Sequence, residues 1–496
     1  MSEMNGKKSM GSRWDAIIGF FSPERGAKRR AWRAIQQWST NSYRAARHTR
    51  IGQNRPTAAS ADYHLEAGWD RTELVDRARQ IERDNPIADG LLTRSVENVI
   101  GCGIRAQVRS EDAEFNKMAK DLWDDWCYDS DVRGLDSFYE LQALVFRSLL
   151  RDGDVGTILL SDGQLQAIES DQIAAPPEKR QQRNHIDGID LDHRGKPKNY
   201  YVVTNEDDHY IIPRRRDRAH RKIIPAEDMI FLARRKRLGQ TRGEPCFSQT
   251  FELFDQIDGL IEAVIVSARM GACFGLLLES PHIPSGLPTV EGAGGKTHYN
   301  WSMEPGMIKR LEPGESVKQV SPQHPSQNFS EFLSTTGRLL GLQLGLPLEL
   351  IFMDFSKTNY SSARASLLQA YQAFRCHQAY IKNHWCKPIY RWKISQWVAD
   401  GQLPDIPTKF RHSWISPGWQ WVDPVKEIQA AQMGIDAGLT TMSDIAMGQG
   451  KDLVELLETR QRELELMREK NIPIIRSTAT RDPDQEIARV AGMPIE

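Results

Sequence analysis

The stretch that begins at Leu340 and runs to Trp397 constrains this chain most. It opens LGLQLGLPLELIF, passes through MDFSKTNYSSARAS, and continues LLQAYQAFRCHQAYIKNHW. In the apolar part, Gly345 and Pro347 interrupt the helical pattern, because glycine is conformationally free and proline has no amide hydrogen to donate. Asp354 to Ser361 is a polar loop with one cation, Lys357. A long helix follows, and Asn359, Ser361 or Ser362 can cap it by accepting from first-turn amides. Its apolar positions Leu367, Ala370, Tyr371 and Phe374 recur at helical spacing. A helix, a tight exposed loop and a second long helix make a device that holds a loop rigidly against something.

Two more helices precede it. From Ser248 to Met270, Phe251, Phe254, Ile257, Ile261, Val264, Ile265 and Ala268 recur at three and four residues. Phe329 to Leu344 is the second, with Phe332, Leu339 and Leu340 on its apolar side. Between them lie a short strand, FGLLLES, and the run PHIPSGLPTVEGAGGKTHYNWSMEPG. There Pro281, Pro284 and Pro288 argue against regular structure before Trp301. Exposed aromatics on such a frame (His298, Tyr299, Trp301, with Lys309 nearby) suit a protein contact.

Upstream, the spacing predicts helices over Arg71–Asn85, Ile87–Ile100, 111–128 and Ser137–Arg151. Short β-branched segments follow: VGTILL, QLQAIES, KNYYVVT, HYIIP and MIFLA. Pro388 falls inside a helical pattern reaching Val398 and is expected to kink it. Residues 403 to 421 are expected to be extended. Helices are predicted over Val425–Ala437, Thr441–Met447 and Leu453–Glu469, the last densely charged with both signs.

At 496 residues the chain suits about three domains and needs no staple for its core. Net charge is −1, yet residues 1–55 hold 12 Lys/Arg against 3 Asp/Glu, and residues 211–242 hold 11 against 3. Two basic zones on an otherwise acidic chain suit either solvated segments or contact with a polyanion or acidic protein. The six cysteines lack metal-ribbon spacing, and MSEMNGKKSMGSRW lacks the apolar core of a secretion signal, so a reduced cytosolic compartment is expected. Leu339–Met353 is too short to span a bilayer.

No catalytic constellation emerges. Gly101-Cys102-Gly103 follows a helix rather than a strand and is no dinucleotide loop. Asp152 and Asp154 read as a strand-entry turn. Cys376, His377, His384 and Cys386 cannot converge on one ion from a straight helix. The expectation is a non-enzyme with no cofactor and no metal, of mixed α+β class.

The run GLPLELIFMDFSKTNYSSARASLLQAYQAF resembles the signature of lambda-type phage portal proteins, and Tyr360-Ser361-Ser362-Ala363-Arg364-Ala365-Ser366 matches it in type at each position. RDGDVG at 151–156 and GQTRG at 239–243 are similar to further segments of that family, and the resemblance extends from about Asp70 to about Glu469. It implies a portal fold: a basic arm (1–60), an α/β wing (61–247), stem helices (248–273 and 326–345) flanking a clip (274–325), a tunnel loop (346–360), a kinked long helix returning to the wing (361–424), a helical crown (425–472) and a tail (473–496).

The implied function is a ring of about twelve copies at one capsid vertex of the virion, assembled in the host cytoplasm. Double-stranded DNA would pass through its channel, with Ser356, Lys357, Thr358 and Asn359 at the narrowest point. The implied partners are the terminase large subunit, which supplies ATP hydrolysis, the major capsid and scaffolding proteins, and head-completion or tail adaptor proteins. The membrane is not among them. By resemblance His298, Tyr299, Trp301 and Lys309 belong to the clip, which docks terminase or adaptor. The competing readings are a nucleic-acid-processing enzyme using the basic zones and a different head–tail adaptor.

Overall fold

A computed structural model describes residues 63–64 and 70–472, apart from 180, 181, 183, 205–219, 273–274, 280–288, 292–296, 300–315, 321–327, 357, 409 and 420–422. At 270–272, 275–279, 289–291, 297–299, 316–320 and 328 it describes the backbone alone. The chain divides after Glu66 into two compact units, and every element named below belongs to the second. The basic arm, the HYIIP segment, Trp301, Lys309, Lys357 and the tail fall outside the described residues.

Helices α1 (Arg71–Asp84) and α2 (Pro86–Val99) meet at Asn85, whose side-chain oxygen accepts from Ile87 N at 2.9 Å and Ala88 N at 3.1 Å. Pro86 sits at the first position of α2, where no amide hydrogen is missed. Strand β1 (Arg105–Val108) leads to α3 (Ala113–Tyr128) and α4 (Phe138–Asp152). Ser137 and Glu140 form a reciprocal capping box at the start of α4, and Gly153 ends it in the left-handed region at φ +89°. Leu141, Val145, Phe146, Leu149 and Leu150 make α4 the axis of the main core. Two small sheets follow. One has the order β3 (Leu165–Glu169), β2 (Asp154–Leu159), β8 (Met229–Ala233). The other runs β4 (His185–Ile186), β5 (Ile189–Leu191), β6 (Pro197–Thr204), β7 (His220–Pro225). A second core of Ile158, Ile168, Ile173, Ile189, Tyr200, Val202, Ile224 and Met229 lies between them. Strand β7 falls inside the basic run read from sequence as an edge and loop; Ile224 gives it a buried position facing that core.

Helix α5 (Phe251–Ala272) occupies the segment expected from sequence to be the first stem helix, but its apolar stripe is divided. Phe251, Phe254 and Ile257 are buried in this chain's own core, Ile261 is half-buried against it, and Ile265 and Val266 are exposed. One subunit therefore supplies more of the stripe's cover than its spacing suggests. Beyond it, β9 (Gly275–Glu279) pairs with β12 (Ser316–Val320), and β10 (Thr289–Glu291) with β11 (Thr297–Tyr299). Regular structure thus does occur before Trp301. It is compatible with Pro281, Pro284 and Pro288 because all three precede β10.

Helix α6 (Asn328–Gly341) buries Leu340 and Thr336, with Leu333 packed against the core. Phe332 and Leu339, assigned from sequence to its apolar side, are exposed. After the short helix α7 (Leu348–Phe352) comes α8 (Tyr360–Ile381), then a π-helical turn at Lys382–Cys386, then α9 (Lys387–Ala399). The expected proline kink is realised as this π turn. Pro388 cannot donate and its ring crowds the carbonyl four residues back; widening the preceding turn relieves both. Strand β13 (His412–Ile415), within the expected extended stretch, pairs antiparallel with β1. The segment expected to form the crown holds α10 (Pro424–Asp436), α11 (Met442–Gly448) and α12 (Leu453–Glu469), and Ala446 is the only residue of these three helices that is buried.

Candidate functional site: an exposed loop on a rigid scaffold

The loop from Met353 to Asn359 is carried by α6, α7 and α8. Two buried glycines let α7 lie close on α6. A Cβ on Gly337 would meet the Phe352 ring at 2.6 Å, and one on Gly341 would meet the Leu346 carbonyl oxygen at 2.2 Å. Leu346 N in turn donates to Gly341 O at 3.0 Å. Gly345 makes the reversal at φ +69°, beside Ala373 of α8. Gly345 and Pro347 were legible as breakers; the Gly337/Gly341 pair was missed, although its four-residue spacing is the available signal.

Within the loop, Met353 adopts φ +52°, and Asp354 Oδ1 accepts from Ser356 N at 2.9 Å. Thr358 Oγ1 donates to Phe355 O at 3.1 Å. Asn359 is the cap of α8: its Oδ1 accepts from Ser362 N at 2.8 Å. Ser356 and Asn359 are exposed and Thr358 is half-buried, flanked by exposed Met353, Phe355 and Tyr360. The structure thus gathers Ser356, Thr358 and Asn359 on one loop, while Lys357 lies outside the described residues. His298 and Tyr299 lie in β11, their backbones opposite Val290 and Thr289.

The sequence reading missed a buried ion network that joins α1, β2 and the segment before α5. Arg242, read as part of a basic surface, is fully buried. Its Nε donates to Asp154 Oδ2 at 2.8 Å and its Nη2 to Asp154 Oδ1 at 2.9 Å. It also donates to the carbonyls of Ser170 (2.7 Å), Ile173 (2.8 Å) and Asp187 (2.5 Å). Arg71 bonds Asp187 and Ser170. Asp152, also fully buried, is held by Arg79 Nη2 at 2.7 Å and Arg151 Nε at 2.7 Å. Asp152 and Asp154 are therefore more than a strand-entry turn: each is an ion-pair anchor. Burial raises the pKa of Asp152, but hydrogen bonds from Arg151 and Arg79 bring it below the usual carboxylate range. With arginines holding their oxygens, neither aspartate presents a metal-binding or acid–base face. Among the described residues no group of three His, Cys, Asp or Glu could hold a metal ion, and no helix is long and apolar enough to cross a membrane.

Two half-buried histidines set a pH response. His377, edge-on to Phe146, and His412, among Tyr390, Phe410 and Trp414, are both pushed down to about 4. The cause is burial first, then Arg234 for His377, and Arg391 and Lys387 for His412. In the unfolded chain they titrate near 6.5, so as pH falls the unfolded state takes up protons first. Their contribution is full above about 6.5 and is lost between there and 4. Asp190 behaves likewise in a lower window. Burial raises it, but hydrogen bonds from Lys179, His185 and Tyr201 bring it down to about 2. Its stabilisation survives to about 4 and fades towards 2. The melting temperature is expected to fall by several degrees from pH 7 to pH 5, and His377→Phe should flatten that slope in a thermal scan.

The sequence matches the family described as "Phage portal protein, lambda family" over residues 47–378, two thirds of its length, and the chain belongs to that family. It is 23% identical to the portal protein of Escherichia phage N15 over 478 residues, covering 82% of this chain and 86% of that one. It is also 23% identical to the probable portal protein of Halomonas phage phiHAP-1 over 445 residues, covering 83% and 84%. To portal protein B of Escherichia phage lambda it is 23% identical over 350 residues, covering 62% and 64%. Among solved structures it is similar to a chain from the neck of an empty gene transfer agent particle, at 15% identity, TM-score 0.45 and coverage of 77% and 94%.

Proposed function

We propose that this portal protein assembles as a ring of about twelve copies at one vertex of the virion and forms the channel through which double-stranded DNA enters and leaves. One observation carries this reading: an exposed polar loop is held at the capped start of a 22-residue helix and backed by glycine-tight packing. Membership of the portal family supports it. In this reading Ser356, Lys357, Thr358 and Asn359 face DNA, and His298, Tyr299, Trp301 and Lys309 of the clip meet the terminase large subunit or a tail adaptor. Major capsid and scaffolding proteins surround the ring, assembly takes place in the host cytoplasm, and the chain itself catalyses nothing.

A conduit must let DNA slide. One cation per subunit beside small polar groups gives a weak positive ring, and each exposed phosphate contact is worth about 1 kcal/mol or less in salt. Lys357→Ala is expected to leave the ring intact and to lower DNA retention severalfold at low salt, with the difference shrinking as salt rises. Lys357→Glu should be worse. Imaging the purified protein tests the ring, and packaging assays test the loop. Equal retention by parent and both variants at low and high salt would refute the DNA contact.

A further inference from the structure

The segment before the stem carries an exposed tip, residues 235–239, Arg-Lys-Arg-Leu-Gly. Its base is rigid. Gln240 is buried, and its Oε1 accepts from Lys236 N at 2.7 Å and Arg237 N at 3.3 Å. Two residues further on, Arg242 is locked into the buried ion network. Lys236 is already paired with Glu244 at 3.0 Å. Leu238 is fully exposed, and Arg235 is exposed with no ion pair among the described residues. A rigid tip presenting a leucine and a bare guanidinium loses little freedom on binding and suits a protein surface. Phosphate is the poorer fit, since the most exposed side chain is aliphatic and the neighbouring lysine is neutralised.

A complementary surface lies elsewhere on the same chain. Met118, Asp121, Asp125 and Tyr128 of α3 follow at intervals of three, four and three residues, so they share one helix face. All four are exposed, and neither aspartate has an ion pair among the described residues. The stripe is about 15 Å long, apolar at both ends and anionic in the middle. Within one chain the two patches sit in different surroundings. The tip leaves β8 where Arg234 Nη2 donates to Gln343 O at 3.2 Å, whereas α3 faces the crown through Lys120 and Glu455 at 2.6 Å. Contact between two different patches of identical copies propagates head to tail, and it closes as a ring when the rotation between neighbours divides a full turn.

We propose that the 235–239 tip of one copy docks on the α3 stripe of the next, with Leu238 against Tyr128 and Arg235 paired with Asp125. This contact rests on the ring reading. The test is a charge swap on the full chain, with ring fraction read by native mass measurement and imaging, and folding checked by thermal melting. Arg235→Glu and Asp125→Arg should each cut the ring fraction at least tenfold without moving the melting temperature of the unassembled chain. The double variant should recover most of the loss, and Leu238→Ser should weaken assembly at any salt concentration. Parent protein that forms no ring overturns the ring reading and this contact with it. A parent that forms rings, with single variants equal to it or a double variant no better than the singles, overturns this contact alone.

Discussion

Arg242→Ala is expected to be the most destabilising single substitution in the buried ion network, at about 3–5 kcal/mol, because removing one partner of a buried pair strands the other charge. Asp154 would remain with no exposure and without its bidentate partner, and three backbone carbonyls would lose a donor. Against total stabilities of about 5–15 kcal/mol, that loss separates a soluble protein from one that aggregates on expression. Arg242→Lys should recover part of it, since one ammonium cannot reproduce a planar fork reaching the two carboxylate oxygens and the carbonyls together. Arg242→Met combined with Asp154→Leu should be milder than either single change, because no charge is left unpaired. Thermal or denaturant unfolding checks the series. An Arg242→Ala variant melting within about 2 °C of the parent would show that the network is dispensable.

The network also marks where the sequence stopped being readable. Helix periodicity is a local signal, so α1 to α4, α5, α8 and α10 to α12 were legible, and Asn359 was among the three residues read as able to cap α8. Arg242 and Asp154 are 88 residues apart. Nothing local separates a buried arginine from the surface arginines beside it, and charge counting left Arg242 in a basic run read as either a solvated edge and loop or an electropositive surface. Phe332 and Leu339 failed for a related reason. Apolar type was taken as burial, whereas the structure buries Thr336, half-buries Leu333 and leaves those two side chains exposed. In the ring proposed for this chain, apolar residues left on the surface would meet neighbouring copies, so hydrophobicity would not translate into burial within one subunit. Helices α10 and α12 show the same effect, with Val425, Ile428, Met433, Val454 and Leu457 all exposed. The candidate loop was legible because its signals are local: breakers, a polar run and a cap.

The scaffold of that loop yields the second large effect. Gly341→Val should leave ring formation near the parental level while lowering packaged DNA by at least tenfold. The Cβ alone would lie 2.2 Å from the Leu346 carbonyl oxygen, and 2.7 Å from Ile351. A backbone carbonyl cannot swing aside as a side chain can, so α7 must lift from α6. Overpacking of this kind costs about 1–3 kcal/mol. That leaves the main core folded but frees the segment from Leu346 to Phe352, and the loop beyond it loses one of its two mounts. The other mount, the Asn359 cap on α8, remains. Gly259 of α5 supplies the control, because a Cβ there meets nothing within 4 Å. Gly259→Ala should be neutral or stabilising by up to about 1 kcal/mol, as expected for alanine in place of glycine inside a helix. Ring fraction by native mass measurement and DNA content per particle separate the outcomes. Loss of rings in Gly341→Val would make the contact part of the subunit's overall fold. Normal rings with normal DNA content would mean that the loop needs no rigid mount, and the channel role proposed for it would lose its structural basis.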